Sequence, residues 1–347
     1  MEFWTTFTPK KIAWELTSVS TKGKKPTYNW IKNIHHVKDS LFKLKKSGIV
    51  GIRLVIYPSE LSIDALRFNF RPIEKILDIC MQFDLKVDLC IGPFQYPNYP
   101  GIYLPDYMLE NINKDLDFLD SNLEIRKYSE KFLKLQLNKF GDDKRLHGFH
   151  LANEWPDWQK IEGRRNIKLG ISKAYMLDVA SFLVRMTKKS ISLNTNINPI
   201  SKREIKSTFS DIFEILSTQG QLGFDIYPTQ EKWGNNPYQR LKSMLFDYSK
   251  AFRDLQKKYS QVEIYFAEVE AQPWGSGQSW YEMINKEPDV DQKILNYEHH
   301  SLSQTFEKYI KNSGAKIISL WGCDFWIAAD MMGVKWPLNQ IKKLNEI

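Results

Sequence analysis

Hydrophobic and polar positions along this chain alternate between two textures. Short runs rich in β-branched and aromatic residues are separated by longer stretches in which apolar residues recur every three or four positions. The short runs predict strands over Phe3–Thr8, Gly51–Tyr57, Lys86–Ile91, Leu146–Ala152, Ile191–Asn196, Leu222–Ile226, Glu263–Glu268 and Lys316–Trp321. The longer stretches predict helices such as Asn33–Ser47, Ile73–Phe83, Asn122–Phe140, Lys173–Lys189, Tyr238–Lys258 and Asn296–Asn312. Within Asn122–Phe140, the residues Leu123, Tyr128, Phe132, Leu135 and Phe140 mark out one apolar helix face.

Eight strands, each followed by a helix, within 347 residues are what a closed (β/α)₈ TIM barrel of the α/β class requires. A doubly wound open sheet shares the alternation, but no strand here runs into a glycine-rich phosphate turn. There is no Pro/Ser-rich linker, low-complexity tract or repeat beyond the βα alternation, so one domain over residues 1–347 is expected. The longest irregular segments are Gly92–Ser121 after strand three and Gln272–Leu295 after strand seven. Loops of that length in a compact domain usually serve function.

Composition narrows the partners. An apolar content of 42% supports a large core. The longest apolar stretch, Ile49–Tyr57, is broken by Arg53 and is far short of the roughly 20 residues of a membrane helix. The amino-terminal residues lack the apolar run of a signal peptide, and the compartment is left open. The net charge of +8 is spread over scattered pairs, Lys45 and Lys46, Lys188 and Lys189, Lys257 and Lys258, Lys342 and Lys343, each in or beside a helical pattern. That distribution predicts solvated helix faces and no nucleic-acid partner. Cys80, Cys90 and Cys323, far apart and among apolar neighbours, read as buried thiols. His147 and His150 lie three apart on a strand and face opposite sides, which argues against a shared metal ion.

In a barrel of this kind the active site lies at the carboxyl ends of the strands. Two glutamates fall there: Glu154, after HGFHLAN on strand four, and Glu268, closing EIYFAE on strand seven. Cleaving a glycosidic bond takes one carboxyl to protonate the leaving oxygen and one to attack or stabilise the anomeric carbon. Their separation decides between retention and inversion, and the residues alone leave that open. Glu270 shares the side of Glu268 if the strand continues, and is the rival nucleophile. Asp225 and Asp324 read as strand-end hydrogen-bonding groups. Arg53, on an interior strand, needs a buried carboxylate partner, for which Glu268 is the natural candidate. Seven of the eleven tryptophans (Trp155, Trp158, Trp233, Trp274, Trp280, Trp321, Trp326) fall at or after strand ends, and Tyr96, Tyr99, Tyr103 and Tyr107 follow strand three. Rigid amphipathic rings so placed suit a sugar with apolar C–H faces.

Arg53 in GIRLVIYP, the Asn153–Glu154 pair, Tyr227 in FDIYP, Glu268, and Trp321 in LWGCDFW occur in the order in which they stand in the clan A glycoside hydrolases, which the chain resembles over most of its length. The segments PFQYPNYPGIYLPDYM, AEVEAQPWG and LWGCDFW are similar to a cellulase-like branch of that clan, whose strand-seven motif reads Glu-Leu-Gln-Ala-Glu-Pro-Trp and whose strand-eight motif reads Trp-Gly-Ala-Glu. This chain has Glu270 and Gln272 where the branch has Gln and Glu, and Asp324 where it has Glu. The resemblance implies Glu154 as acid/base and Glu268 as nucleophile of a retaining enzyme. It also implies Tyr227 on the nucleophile, Asn153 at the sugar 2-hydroxyl and Trp321 as the floor of the cleavage subsite. Trp155, Trp233, Trp274 and Tyr96 are further expected substrate contacts. The expected substrate is a β-linked gluco-, manno- or galacto-configured oligo- or polysaccharide, with no metal or organic cofactor; transfer to a second sugar uses the same chemistry. A catalytically silent carbohydrate-binding barrel is the alternative, motivated by the exchanged residues around Glu268 and by Asp324.

Overall fold

A computed structural model describes residues 1–20, 30–32, 34–64, 67–92, 101–109, 118–155, 159–161, 164–196, 202–226, 247–271 and 306–346. Eight strands form a closed barrel: β1 (Glu2–Phe7), β2 (Ile49–Leu54), β3 (Lys86–Cys90), β4 (Gly148–Ala152), β5 (Ser190–Asn196), β6 (Gly220–Ile226), β7 (Glu263–Glu270) and β8 (Ile317–Trp321). Every strand pairs in parallel with its neighbours in sequence, and β1 against β8 closes the ring. All eight predicted strands are therefore present, with ends shifted by at most three residues.

The helices that wrap the barrel include α1 (Pro9–Ser20), α2 (Ile34–Lys46), α3 (Arg71–Gln82), α4 (Leu123–Phe140), α5 (Lys173–Met186), α6 (Lys202–Leu216), α7 (Tyr248–Lys258), α8 (Cys323–Met331) and α9 (Trp336–Leu344). Helix α4 starts at Asn122, whose side chain accepts from the backbone N–H groups of Glu124 and Ile125, satisfying two donors that the first turn leaves open. Its buried face is Ile125, Tyr128, Phe132, Leu133, Leu137 and Phe140; Leu123, expected on that face, is 62% exposed because it sits at the helix start, before the face closes on the barrel. Of the predicted Tyr238–Lys258 helix, Tyr248–Lys258 is described; of Asn296–Asn312, Phe306–Ile310 forms a π-helical turn. The lysine pairs of α2, α7 and α9 occupy the last helical turns, where their charge complements the helix dipole.

The segment after β3, expected to be irregular, contains a short strand, Gly101–Ile102, and a helical turn, Asp106–Leu109. The strand pairs with Gln159–Ile161, which pairs antiparallel with Arg164–Leu169. A small three-stranded sheet thereby ties the loop after β3 to the loop after β4. The three thiols are buried and free, as their apolar surroundings in sequence suggested. No helix among the described residues is long and apolar enough to cross a membrane.

Two departures from strand regularity fall near the candidate site. Between β7 and β6 the register runs Phe266↔Phe224 and then Glu268↔Asp225, so Ala267 is an extra residue. Between β4 and β5 it runs His150↔Ser192 and then Ala152↔Leu193, skipping Leu151. Such bulges re-aim the side chains that follow them. Both slips lie just before the two candidate glutamates.

Candidate active site

Strand alternation places Phe266 on the outer face of β7, where its ring stacks on Phe252 of α7 with centroids 4.5 Å apart. With an unbroken period of two, Glu268 would share that outer face. The extra residue at Ala267 turns Glu268 inward instead, where it is 2% exposed and its Oε1 lies 3.0 Å from Arg53 Nη2. The same guanidinium nitrogen reaches Thr6 Oγ1 at 2.7 Å and the Ala267 carbonyl oxygen at 2.6 Å. Arg53 is thus held by β1 and by the bulge as well as by the carboxylate. Burial alone would weaken its charge, but Glu268, followed by Tyr265 and Asp225, more than offsets that, and its pKa is raised. The carboxylate partner that Arg53 required is the expected one.

Glu154 follows the β4 slip and is partly exposed, with a backbone φ of 51°. A glutamate in the left-handed region is uncommon, and such strain concentrates at functional sites. Asn153 beside it is buried at 2%, and its Oδ1 has no hydrogen-bond partner among the described residues. Glu154 and Glu268 both act electrostatically on the buried Asp225 of β6, so the two glutamates converge on one region at the carboxyl end of the barrel. Glu270 is buried at 1% on β7, which does continue past Glu268, and pairs in register with Trp321.

Trp321 ends β8 and is 7% exposed. Lys11, in the first turn of α1, places its Nζ 5.5 Å from the Trp321 ring centroid and 2.8 Å from Asp324 Oδ2. Asp324 is therefore a buried ion-pair partner. Lys11 was not singled out by its sequence, although a signal existed: a lysine in a helix's first turn opposes the helix dipole and needs a compensating anion. Tyr57 after β2 stacks on Tyr103 with centroids 3.7 Å apart, and Lys10 Nζ lies 5.8 Å from the Tyr57 centroid.

Other aromatic expectations fare unevenly. Trp155 is 1% exposed, donates its indole N–H to the Ile171 carbonyl and meets Phe209 edge-on. Trp326, read as a residue of a strand end, is instead inside α8 and donates to the Ala271 carbonyl. Tyr107 is 41% exposed. Tyr96, Tyr99, Trp158, Tyr227, Trp233, Gln272, Trp274 and Trp280 lie outside the described residues. His150 and His147 are separated as expected. His150 is buried with Nδ1 3.0 Å from Ser192 Oγ, and burial, then Arg53, pushes its pKa well below the usual range. His147 pairs with Asp88 Oδ1 at 3.0 Å near the opposite end of the barrel.

No protein-family model matches the sequence, and no curated protein matches it. Solved structures do match in fold. A β-galactosidase from the Antarctic haloarchaeon Halorubrum lacusprofundi superposes with a TM-score of 0.52 at 12% identity, covering 92% of this chain and 52% of the other, so this chain spans about half that enzyme's length. A GH5_18 variant from Bifidobacterium longum subsp. longum in complex with Manβ1-4GlcNAc gives a TM-score of 0.58 at 9% identity, over 100% of this chain and 78% of the other. Xylanase 10B from Thermotoga maritima gives 0.55 at 11% identity, over 99% and 95%. At these identities the likeness is one of fold: the chain has the (β/α)₈ barrel that clan A glycoside hydrolases use.

Proposed function

We propose that the chain is a retaining glycoside hydrolase in which Glu268 is the nucleophile and Glu154 the acid/base. The observation that carries this reading is the buried Arg53–Glu268 pair at 3.0 Å, on a strand whose bulge turns the carboxylate inward. A guanidinium at that distance gives the carboxylate a charge-assisted hydrogen bond that fixes its position. Glu154 follows β4 and is partly exposed, and in this reading it exchanges protons with a leaving group or with water. In the first step Glu268 attacks the anomeric carbon while Glu154 gives its proton to the departing oxygen. In the second, Glu154 takes a proton from the water that displaces Glu268 and releases the sugar.

In this reading Asn153, next to Glu154 in the sequence, binds the sugar 2-hydroxyl and Trp321 forms the subsite floor, while Tyr227, Trp233, Trp274 and Tyr96, outside the described residues, are assigned further substrate contacts. Trp155 contributes by supporting Glu154's loop. The substrate class is a β-linked gluco-, manno- or galacto-configured glycan, in keeping with the β-galactosidase and the Manβ1-4GlcNAc complex among the fold neighbours, and no metal or organic cofactor enters the chemistry. We read residues 1–347 as one catalytic domain. A panel of β-linked aryl glycosides and oligosaccharides, assayed with the native enzyme and with Glu268→Ala, tests the reading. Turnover by the native enzyme, its loss in the variant, and its return with azide and inverted product stereochemistry are expected. Equal turnover by both overturns the assignment of Glu268.

A further inference from the structure

The reaction proposed above uses two carboxyls, and the barrel interior holds a third beside them. Asp225 on β6 is 2% exposed and is the register partner of Glu268 on β7 and of Asn196 on β5. Its Oδ2 accepts from Asn194 Nδ2 at 2.6 Å, while Oδ1 is buried with no hydrogen-bond partner among the described residues. The groups acting on it come from several strands: Glu268 on β7, Glu154 beyond β4 and Arg53 on β2. Tyr265 on β7 acts on both Arg53 and Asp225. Cys90 and Asp88 on β3 and His150 on β4 are further buried groups around Arg53 and Tyr265.

The charges in this set do not balance if every carboxyl is ionised. Arg53 supplies the positive charge, and Glu268 at 3.0 Å already matches it. An ionised Asp225 would add a buried anion whose oxygen Oδ1 has no hydrogen-bond partner among the described residues, against two other carboxyls. Burial, then the charges of Glu268 and Glu154, raises the Asp225 pKa well above the usual carboxylate range, with Arg53 and Asn194 only partly opposing.

We propose that Asp225 is a positioning residue of this site, a neutral carboxylic acid whose lack of charge leaves Arg53 wholly to Glu268. The proposal rests on the glycosidase reading for its catalytic consequence, but its protonation state does not. When Asp225 ionises at high pH it competes with Glu268 for Arg53, so its ionisation helps to set the alkaline limit of turnover.

The test compares the native chain with Asp225→Asn, which copies the shape and charge of the neutral acid. The sign follows from linkage. An aspartate that is harder to ionise when folded binds its proton more tightly in the native state, so stability is lost as pH rises from the unfolded value of about 3.9. Thermal melting across about pH 4 to 8 should therefore find the two proteins alike at the acid end and Asp225→Asn increasingly the more stable toward the alkaline end. Asp225→Asn that is less stable at the alkaline end, or that fails to fold, overturns the proposal, because a neutral group would then not serve. Melting needs no turnover, so failure of every glycan in the panel counts against the glycosidase reading and leaves this result standing on its own. Where turnover is present, the alkaline limb of kcat/KM in Asp225→Asn should lie about half a unit or more higher than in the native enzyme. Asp225→Ala should fall about tenfold below Asp225→Asn. An unmoved limb with equal rates in the two variants overturns the positioning role.

Discussion

Arg53 Nη2 lies 3.0 Å from Glu268 Oε1, with both side chains almost completely buried. Two strands on opposite sides of the β1–β8 seam are joined by this pair, since Arg53 belongs to β2 and Glu268 to β7. Removing one partner of a buried ion pair leaves the other charge uncompensated. Arg53→Met should therefore lower unfolding free energy by about 3 to 5 kcal/mol, measured by urea denaturation, and Arg53→Met with Glu268→Gln should recover part of that loss. A single variant with native stability would mean that the pair carries no structural charge balance.

Glu154 pays for its position with a left-handed backbone, φ 51°. Glycine adopts that conformation without a steric penalty, whereas alanine keeps the strain. Glu154→Gly should be the more stable of the two truncations by about 1 kcal/mol, while both lose acid/base turnover. Equal stability of Gly and Ala variants would remove the strain from the account.

Gly223 on β6 has no room for a side chain, because an added Cβ would stand 2.4 Å from the Ala267 Cβ. Ala267 is the extra residue of the bulge that turns Glu268 inward. Gly223→Ala should cost about 1 to 3 kcal/mol through overpacking and should lower kcat by displacing Glu268, with KM less affected. A stable variant with native kcat would show that the bulge tolerates displacement.

At the opposite end of the barrel, the Asp88 hydrogen bond, partly opposed by burial, raises the His147 pKa. A histidine with a raised folded pKa stabilises the protein fully at pH values below the unfolded pKa of about 6.5, and that contribution disappears as pH rises through the folded value. Melting temperature followed from about pH 5 to 8.5 should fall less in His147→Gln than in the native chain. Parallel profiles would mean that the Asp88 contact does not titrate with folding.

Much of the fold was legible because each barrel strand is a short β-branched or aromatic run set off from amphipathic helix. Arg53 was legible as the residue in need of a carboxylate, since a lone cation in Gly51–Tyr57 has no alternative inside a barrel. What periodicity could not reveal is the pair of register slips, because a bulge is a property of two strands and not of one. Counting by twos from Phe266 puts Glu268 on the outer face, and the glutamate reaches the interior only through Ala267. The same limit hid the small sheet tying Gly101–Ile102 to Gln159–Ile161, whose strands are too short to show a period. Periodicity also could not show that the indole N–H groups of Trp155 and Trp326, both after strand ends, are engaged by the carbonyls of Ile171 and Ala271.

The central claim is that Glu268 forms the covalent bond to sugar. Incubation with 2-deoxy-2-fluoro glycosides of gluco, manno and galacto configuration, followed by intact mass and peptide mapping, measures it directly. A mass gain of a single sugar residue, located on Glu268 and lost in Glu268→Ala, is expected. A label on Glu270, or no label from any glycoside that the native enzyme hydrolyses, would contradict it.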